Sequence, residues 1–281
     1  MGSLSPSEVA VEGPFSHEFV HTRGVRLHAA TAGDPTDPLI LLLHDHTGGW
    51  FDYIHSISPL AAAGFHVAAL DMRGFGMSDK PPSGYGIRYA VGDVAGVIQS
   101  LGHKRAHIVG CGSGGAVAWT LAANYPEHTL SLTSMCAADP SDYRQLQRTR
   151  PWLLLLDARP FRTPTHRLRS LTHPSFHHTE LFAQAADLRT KGADIAHVDD
   201  AMRRNARLRS ARLPLKWHRD HITRPTLVIH GDGMLCPHFL EFAARRVRGE
   251  SVSVSHIPET KTLPHVEKPE DFVASLLTFV G

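Results

Sequence analysis

The sequence has little of several features that would assign it to a class at once. Only three of its 281 residues are cysteines, Cys111, Cys136 and Cys236, and none lies in a C-x-x-C or other metal-ligand spacing. No disulfide framework is indicated, so we expect buried thiols in a reducing compartment. The net charge is only +2 with histidine neutral, which gives no reason to expect nucleic acid or an anionic membrane as a partner.

Long apolar runs are also missing. The longest, Leu39 to Leu43, is far shorter than the roughly 20 residues that span a bilayer. The first 16 residues lack the charged region and following apolar stretch of a secretory signal. We therefore predict a soluble cytoplasmic protein, monomeric or homodimeric, that acts on a small molecule.

Histidine, by contrast, is abundant, with 21 residues. So many imidazoles would suit a metal centre, but the sequence contains no H-E-x-x-H and no accompanying carboxylate pattern. We predict no metal and no cofactor. The histidines are instead candidates for acid–base chemistry, because the free imidazole titrates near about pH 6.5.

Apolar runs and helical periodicities alternate along most of the chain. This alternation predicts an α/β fold, with a mostly parallel sheet that helices cover on both faces. A β-hairpin over 17–32, with its turn at Arg23-Gly24, precedes the alternating part. The later strands are predicted at 38–43, 66–70, 106–109, 130–136, 225–230 and 252–257, and the helices at 52–63, 89–101, 116–124, 238–247 and 269–280.

Residues 138–221 interrupt this alternation. They are rich in arginine, histidine and proline, and strand-like runs are scarce. We interpret them as an inserted helical cap. The predicted organisation is an N-terminal tail (1–16), a first part of the core (17–137), the cap (138–221) and a second part of the core (222–281).

Several motifs in the two core parts identify a family. They are Gly24-Val-Arg-Leu-His28, Leu41-Leu-Leu-His44, Asp71-Met-Arg-Gly-Phe-Gly-Met-Ser-Asp-Lys-Pro81, Val109-Gly-Cys-Gly-Ser-Gly-Gly115, Pro225-Thr-Leu-Val-Ile-His-Gly231 and Leu263-Pro-His-Val-Glu-Lys-Pro269. In this order they resemble the α/β-hydrolases, most of all the epoxide-hydrolase and dehalogenase branch. The resemblance covers most of 17–137 and 213–280, and it implies the α/β-hydrolase fold.

The family resemblance also implies a nucleophile elbow, a sharp strand-to-helix turn that exposes a serine or aspartate above the sheet. Family members read V-G-H-S-M-G-G or V-G-H-D-W-G-G, which aligns Gly112 with the nucleophile. Glycine has no side chain with which to attack a substrate. A shift of one residue would instead put Ser113 at the apex, since small residues still flank it at two positions on either side.

The catalytic base is altered as well. Relatives read G-H-F-P-H-L-E with the first histidine catalytic, which places Thr262 at the base position. His265 matches the second family histidine, which is normally structural, and it is a weak catalytic candidate.

The family acid aligns with Met234, and Asp232 falls one residue short of that role. Some relatives carry the acid after the preceding strand, near Asp139, which is equally suited to cap a helix.

New polar groups occur where the family has its oxyanion loop. The family pattern H-G-x-P is replaced by His44-Asp-His-Thr-Gly-Gly49, so that Asp45 and His46 become candidate catalytic groups together with Ser113. Trp50 and the cap residue His177 are expected near the substrate, with Gly112, Asp139, Met234 and Thr262. The two cap tyrosines of epoxide hydrolases are reduced to Tyr143 alone.

Three uses of such a pocket compete. The first is cofactor-independent, non-hydrolytic chemistry on a small aromatic or polyketide-like intermediate of natural-product biosynthesis: oxygenation, or formation or cleavage of a carbon–carbon bond. Its base would be His46 or a cap histidine. The second is a pseudoenzyme that binds a small ligand. The third is a hydrolase with a shifted triad of Ser113, His265 and Asp139 or Asp232.

Overall fold

The computed structural model describes residues 4–152, 163–217, 221–233, 235–248 and 252–281. Its sheet has eight strands in the order β1-β2-β4-β3-β5-β6-β7-β8. The antiparallel β1 and β2 form the predicted hairpin, β2 pairs antiparallel with β4, and every later pairing is parallel. The strands are β1 (Ser16–Thr22), β2 (Val25–Ala32), β3 (Leu39–Leu43), β4 (His66–Leu70), β5 (Ala106–Cys111), β6 (Thr129–Met135), β7 (Thr226–His230) and β8 (Val252–His256).

Helices lie on both faces of this sheet, which confirms the predicted fold class. The central strand β3 is buried along its whole length. Its side chains alternate between two apolar cores, with Ile40 and Leu42 in one and Leu39, Leu41 and Leu43 in the other. The helices are α1 (Ile57–Ala62), α2 (Ile87–Ser100), α3 (Gly112–Asn124), α4 (Pro140–Thr149), α5 (Pro164–Leu171), α6 (Glu180–Ala193), α7 (Val198–Ala206), α8 (Cys236–Arg246), α9 (Pro264–Glu267) and α10 (Pro269–Val280).

Two predicted helices differ from those observed. The helix expected at 116–124 begins four residues earlier, directly after β5. Glycine at 114 makes this possible, because a Cβ there would lie 2.5 Å from the carbonyl oxygen of Leu43. The helix expected at 52–63 is divided into a 3₁₀ turn, Trp50–Tyr53, and α1, whose first turn accommodates Pro59.

Between β6 and β7 the described residues form helices α4 to α7 and short 3₁₀ turns, as expected for a helical insertion. The N-terminal segment packs against this region, since Leu4 forms a β-bridge with Ile195 and Val9 is fully buried. No helix in the described ranges is both long enough and apolar enough to cross a bilayer.

Candidate active site

The turn between β5 and α3 has Gly112 at its apex. Gly112 has a φ of +52°, in the left-handed region that glycine adopts without strain. Cys111 before it is extended, and Ser113 after it already lies in the helix. Burial raises the pKa of the Cys111 thiol well above its ordinary value, so this neighbour is not a thiolate nucleophile.

A carboxylate occupies the space in front of Gly112. A Cβ built on Gly112 would lie 2.2 Å from Oδ1 of Asp45 and 2.5 Å from its Cγ. The same Oδ1 accepts a hydrogen bond of 2.8 Å from the backbone N–H of Ser113. That N–H is therefore engaged by a side chain of the protein itself.

Asp45 also holds His46. The distance from His46 Nδ1 to Asp45 Oδ1 is 2.8 Å, and Nη2 of Arg167 lies 2.9 Å from His46 Nε2. Because a guanidinium only donates, Nε2 must be the acceptor and Nδ1 must carry the proton that Asp45 accepts. The hydrogen bonds therefore select one neutral tautomer of His46.

The ionisation of the pair agrees with this assignment. Burial is the largest influence on His46 and lowers its pKa, although the Asp45 carboxylate raises it. Burial opposes ionisation of Asp45, but His46, the charge of Arg209 and the Ser113 N–H together hold its pKa well below the usual value. A carboxylate beside an oriented neutral imidazole is an arrangement suited to general base catalysis.

A cleft between the core and the cap helices adjoins this pair. It encloses about 450 Å³ of empty space, part of it open to solvent. Its walls are largely apolar, and two arginines, Arg167 and Arg189, also line it. The apolar wall residues are Phe51, Phe75, Pro164, Leu168, Ala193, Val198 and Met202. Arg167 connects the cleft to His46, which is itself only 4% exposed.

Ser113 and His265 are not brought together. The Ser113 hydroxyl is buried and donates to Oδ1 of Asn205 at 2.7 Å, which joins α3 to α7. His265 stacks on Tyr53 with ring centroids 4.7 Å apart, and neither of its ring nitrogens has a hydrogen-bond partner among the described residues. Burial lowers the pKa of His265 to about 3. The contacts of a shifted serine triad are therefore not formed.

Two further candidates for substrate contact have structural positions instead. Trp50 is fully buried in the core, where its indole N–H donates to the carbonyl of Val9. Asp139 caps α4 by accepting from the N–H of Ser141 at 2.8 Å, and it forms an ion pair with Arg246. Neither lines the cleft, because each side chain is committed to packing or capping.

Thr262 and His177 also lie away from the cleft. The Thr262 hydroxyl donates to the carbonyl of Leu171 at 2.6 Å and so links the turn before α9 to α5. His177 makes a hydrogen bond with the Thr172 hydroxyl at 3.1 Å. Met234 lies outside the described residues.

Sequence reasoning did not find Arg167 or Asn205. Arg167 contacts His46, 121 positions away in the chain, and Asn205 contacts Ser113, 92 positions away. No local sequence pattern indicates such distant pairs. The abundance of arginine in 138–221 was the available signal, but it did not single out one residue. In the described part of the chain no group of three His, Cys, Asp or Glu side chains has a geometry that would hold a metal ion.

Comparisons with known proteins agree with this architecture. Residues 38–233 match the family described as alpha/beta hydrolase fold. The chain is 39% identical to AB hydrolase superfamily protein YfhM of Bacillus subtilis over 125 residues, a stretch that makes up 44% of each protein. It is 41% identical to epoxide hydrolase B of Mycobacterium tuberculosis over 115 residues, a stretch that makes up 40% of this chain and 32% of that protein. The matched stretch thus spans less than half the length of either relative.

The likeness in three dimensions extends over nearly the whole chain. The solved structure of an epoxide hydrolase from an endophytic Streptomyces superposes with a TM-score of 0.76, covering 96% of each chain at 22% identity. At that identity the superposition shows the shared fold, and the chemistry has to be argued from the site.

Proposed function

The chain belongs to the α/β-hydrolase-fold family, and we propose that it is an enzyme of this fold that uses His46 as a general base and has no nucleophile at the elbow. One observation carries the proposal: the Asp45 carboxylate fills the space in front of Gly112 and fixes His46 in a single neutral tautomer. A side chain at residue 112 and this carboxylate exclude each other. The arrangement therefore supports proton transfer in place of covalent hydrolysis.

The chemistry begins with removal of a proton from the substrate. Nε2 of His46 accepts it, and the ionised Asp45 stabilises the imidazolium that forms. Because the pKa of His46 is lowered, the base is deprotonated at neutral pH, and it suits substrates with an acidic O–H or C–H. The apolar walls favour a small aromatic or polyketide-like compound. Its anion would then react without a cofactor, either by giving an electron to dioxygen, the oxidant and oxygen source of an oxygenation, or by making or breaking a carbon–carbon bond.

The test uses proton exchange, which needs no knowledge of the natural product. Hydroxyaryl ketones incubated with the protein in D₂O should take up deuterium at the carbon beside the carbonyl, as followed by NMR. The His46→Gln protein should lose this exchange, because the amide cannot accept the proton. Equal exchange by His46→Gln and wild type would contradict the assignment. Binding of the probes with no exchange would favour the ligand-binding pseudoenzyme.

A second candidate, hydrolysis through Asp45 itself, is favoured by the same carboxylate. Its Oδ1 is held by the Ser113 N–H, as an anion is held in an oxyanion hole, whereas the hydrogen bond that Oδ2 accepts from the Thr47 hydroxyl is long, at 3.5 Å. The relatives named epoxide hydrolases also point to hydrolysis. Attack by Oδ2 on a ring carbon of an epoxide would break its C–O bond and form an ester of Asp45, and the alkoxide released would take up a proton from solvent. Water would then cleave the ester to give a diol and the free carboxylate.

Isotope labelling separates these two functions. If Asp45 is the nucleophile, a single turnover of an aryl epoxide in H₂¹⁸O should place the label in the Asp45 carboxylate, as read by peptide mass spectrometry. The general-base function predicts no label there. A fluorophosphonate probe tests the shifted serine triad in the same preparations, and we expect no labelling of Ser113 because its hydroxyl is bound to Asn205.

A further inference from the structure

Arg167 is the arginine of the cleft that contacts the candidate base. It lies on α5, lines the cleft, and has its Nη2 2.9 Å from Nε2 of His46. Since its guanidinium is always charged and His46 is neutral, the partner of Arg167 carries no charge itself, and the Asp45 carboxylate lies on the far side of the imidazole ring. Among the described residues no carboxylate forms an ion pair with Arg167.

The other cleft arginine shows what a structural role looks like. Arg189 forms a buried ion pair of 2.8 Å with Asp52 and donates to the backbone and hydroxyl oxygens of Thr47. Its charge is balanced and its position is fixed. Arg167 lines the same cleft without such an anchor, so its charge is available to a ligand.

The charge distribution of the chain points in the same direction. Residues 138–221 contain 16 Lys and Arg against 9 Asp and Glu, whereas the rest of the chain contains 13 against 18. The positive charge is therefore concentrated between β6 and β7, in the part of the chain whose helices α5 and α6 supply Arg167 and Arg189 to the cleft. Such a field raises the local concentration of anionic ligands and speeds their association.

We propose that the substrate carries a carboxylate and that Arg167 binds it. On binding, the guanidinium leaves Nε2 of His46, which is then free to act as the base. In the structure the guanidinium donates to the lone pair of His46 Nε2 that must accept a proton. A substrate carboxylate accepts two hydrogen bonds from the guanidinium and replaces the imidazole as its partner. The proposal rests on His46 as the base and names the substrate class for that site.

The ligand is a monocarboxylate with an apolar body. Arg167 supplies one positive charge with no directly paired carboxylate, which a ligand monocarboxylate matches, whereas a phosphate dianion would bring a second negative charge into a largely apolar cleft. Phe51, Phe75, Leu168 and Met202 are the walls that would contact the remainder of the molecule. An aryl-substituted or branched acid meets both requirements.

Binding of phenylacetate and of its neutral counterpart phenylacetamide tests the proposal. Measured by NMR titration, the wild type should bind phenylacetate about tenfold to a hundredfold more tightly, the usual worth of a charge-assisted pair. Arg167→Gln should bind the two probes equally, and Arg167→Lys should keep part of the preference. Arg169→Gln is the matched control on the same helix, where the guanidinium stacks on Phe182, and it should behave as wild type.

The ring nitrogens of His46 provide the second measurement. On addition of phenylacetate, the ¹⁵N signal of Nε2 should move to the position of an imidazole nitrogen without a hydrogen bond, the position it already has in Arg167→Gln. Equal affinities for the two probes in the wild type, or a preference that survives in Arg167→Gln, would overturn the proposal. Deuterium exchange into neutral ketones tests the base independently. It should be faster in Arg167→Gln than in the wild type, because a neutral ketone does not displace the guanidinium from Nε2, whereas failure of the base would leave both proteins without exchange.

Discussion

Two buried histidines at the same edge of the sheet have opposite surroundings. His46, after β3, has both ring nitrogens bonded, one to a carboxylate and the other to a guanidinium. His265, before α10, has neither nitrogen bonded among the described residues and stacks on an aromatic ring. Burial lowers the pKa of both, so both are neutral at pH 7. The comparison shows that burial alone keeps an imidazole neutral, whereas hydrogen bonds decide which of its two nitrogens carries the proton.

The largest effect is expected when the His46 surroundings are made more like those of His265. In Asp45→Asn the amide can donate to Nδ1 and so favours the wrong tautomer, and we expect exchange activity to fall about 10³- to 10⁴-fold. Asp232→Asn is the control, because Asp232 is exposed and pairs with His256 at the surface. Deuterium uptake by the ketone probes is the measurement. An equal, small loss in both variants would mean that Asp45 does not orient the base.

The next effect comes from putting a side chain back at the elbow. Gly112→Ala adds a Cβ at 2.2 Å from Asp45 Oδ1 on a residue with a φ of +52°, so it brings both backbone strain and a clash. The strain alone costs about 1–3 kcal/mol of the free energy of unfolding, measured by urea denaturation. Gly102→Ala isolates that strain, because Gly102 has a φ of +86° and nothing within 4 Å of the added atom. If Gly112→Ala lost no more stability and activity than Gly102→Ala, Asp45 would not occupy that space.

The smallest effect concerns His265 and appears as a pH dependence of stability. The pKa of His265 is about 3 in the folded state and about 6.5 in an unfolded chain. The unfolded state therefore binds the extra proton first, so stability is lost as the pH falls from about 6.5 towards 3, by up to about 1.4 kcal/mol per pH unit.

At pH 5 this penalty amounts to about 2 kcal/mol, and His265→Phe should remove it while leaving exchange activity intact. Urea denaturation between pH 4 and pH 7 measures the two curves. Parallel curves for the variant and the wild type would show that His265 does not remain neutral when buried.

The sequence predicted the architecture well because the apolar runs of the buried strands and the glycines of the turns act locally. The fully apolar β3 and the hairpin turn at Arg23-Gly24 are visible in a few consecutive residues. The alignment also drew attention to Gly112, Asp45 and His46. It could not give the direction of the Asp45 carboxylate, which depends on the space left by a residue 67 positions later.

The contacts of the cap residues could not be predicted from the sequence for a related reason. Arg167 is one of many arginines in 138–221, and only the packing of α5 over the cleft distinguishes it. Trp50 was expected near the substrate because it follows the altered loop. It is buried instead, since its indole N–H finds a partner in the N-terminal segment, at Val9.

The mutual exclusion of Asp45 and a side chain at residue 112 also has an evolutionary consequence. A lineage with this pair does not regain an elbow nucleophile by a single substitution, because any new side chain at 112 meets the carboxylate. Removing Asp45 first deprives His46 of its partner without yet supplying a nucleophile. Substitutions at 45 and 112 are therefore expected to depend on each other, since a change at either residue alone disturbs the arrangement that the other completes.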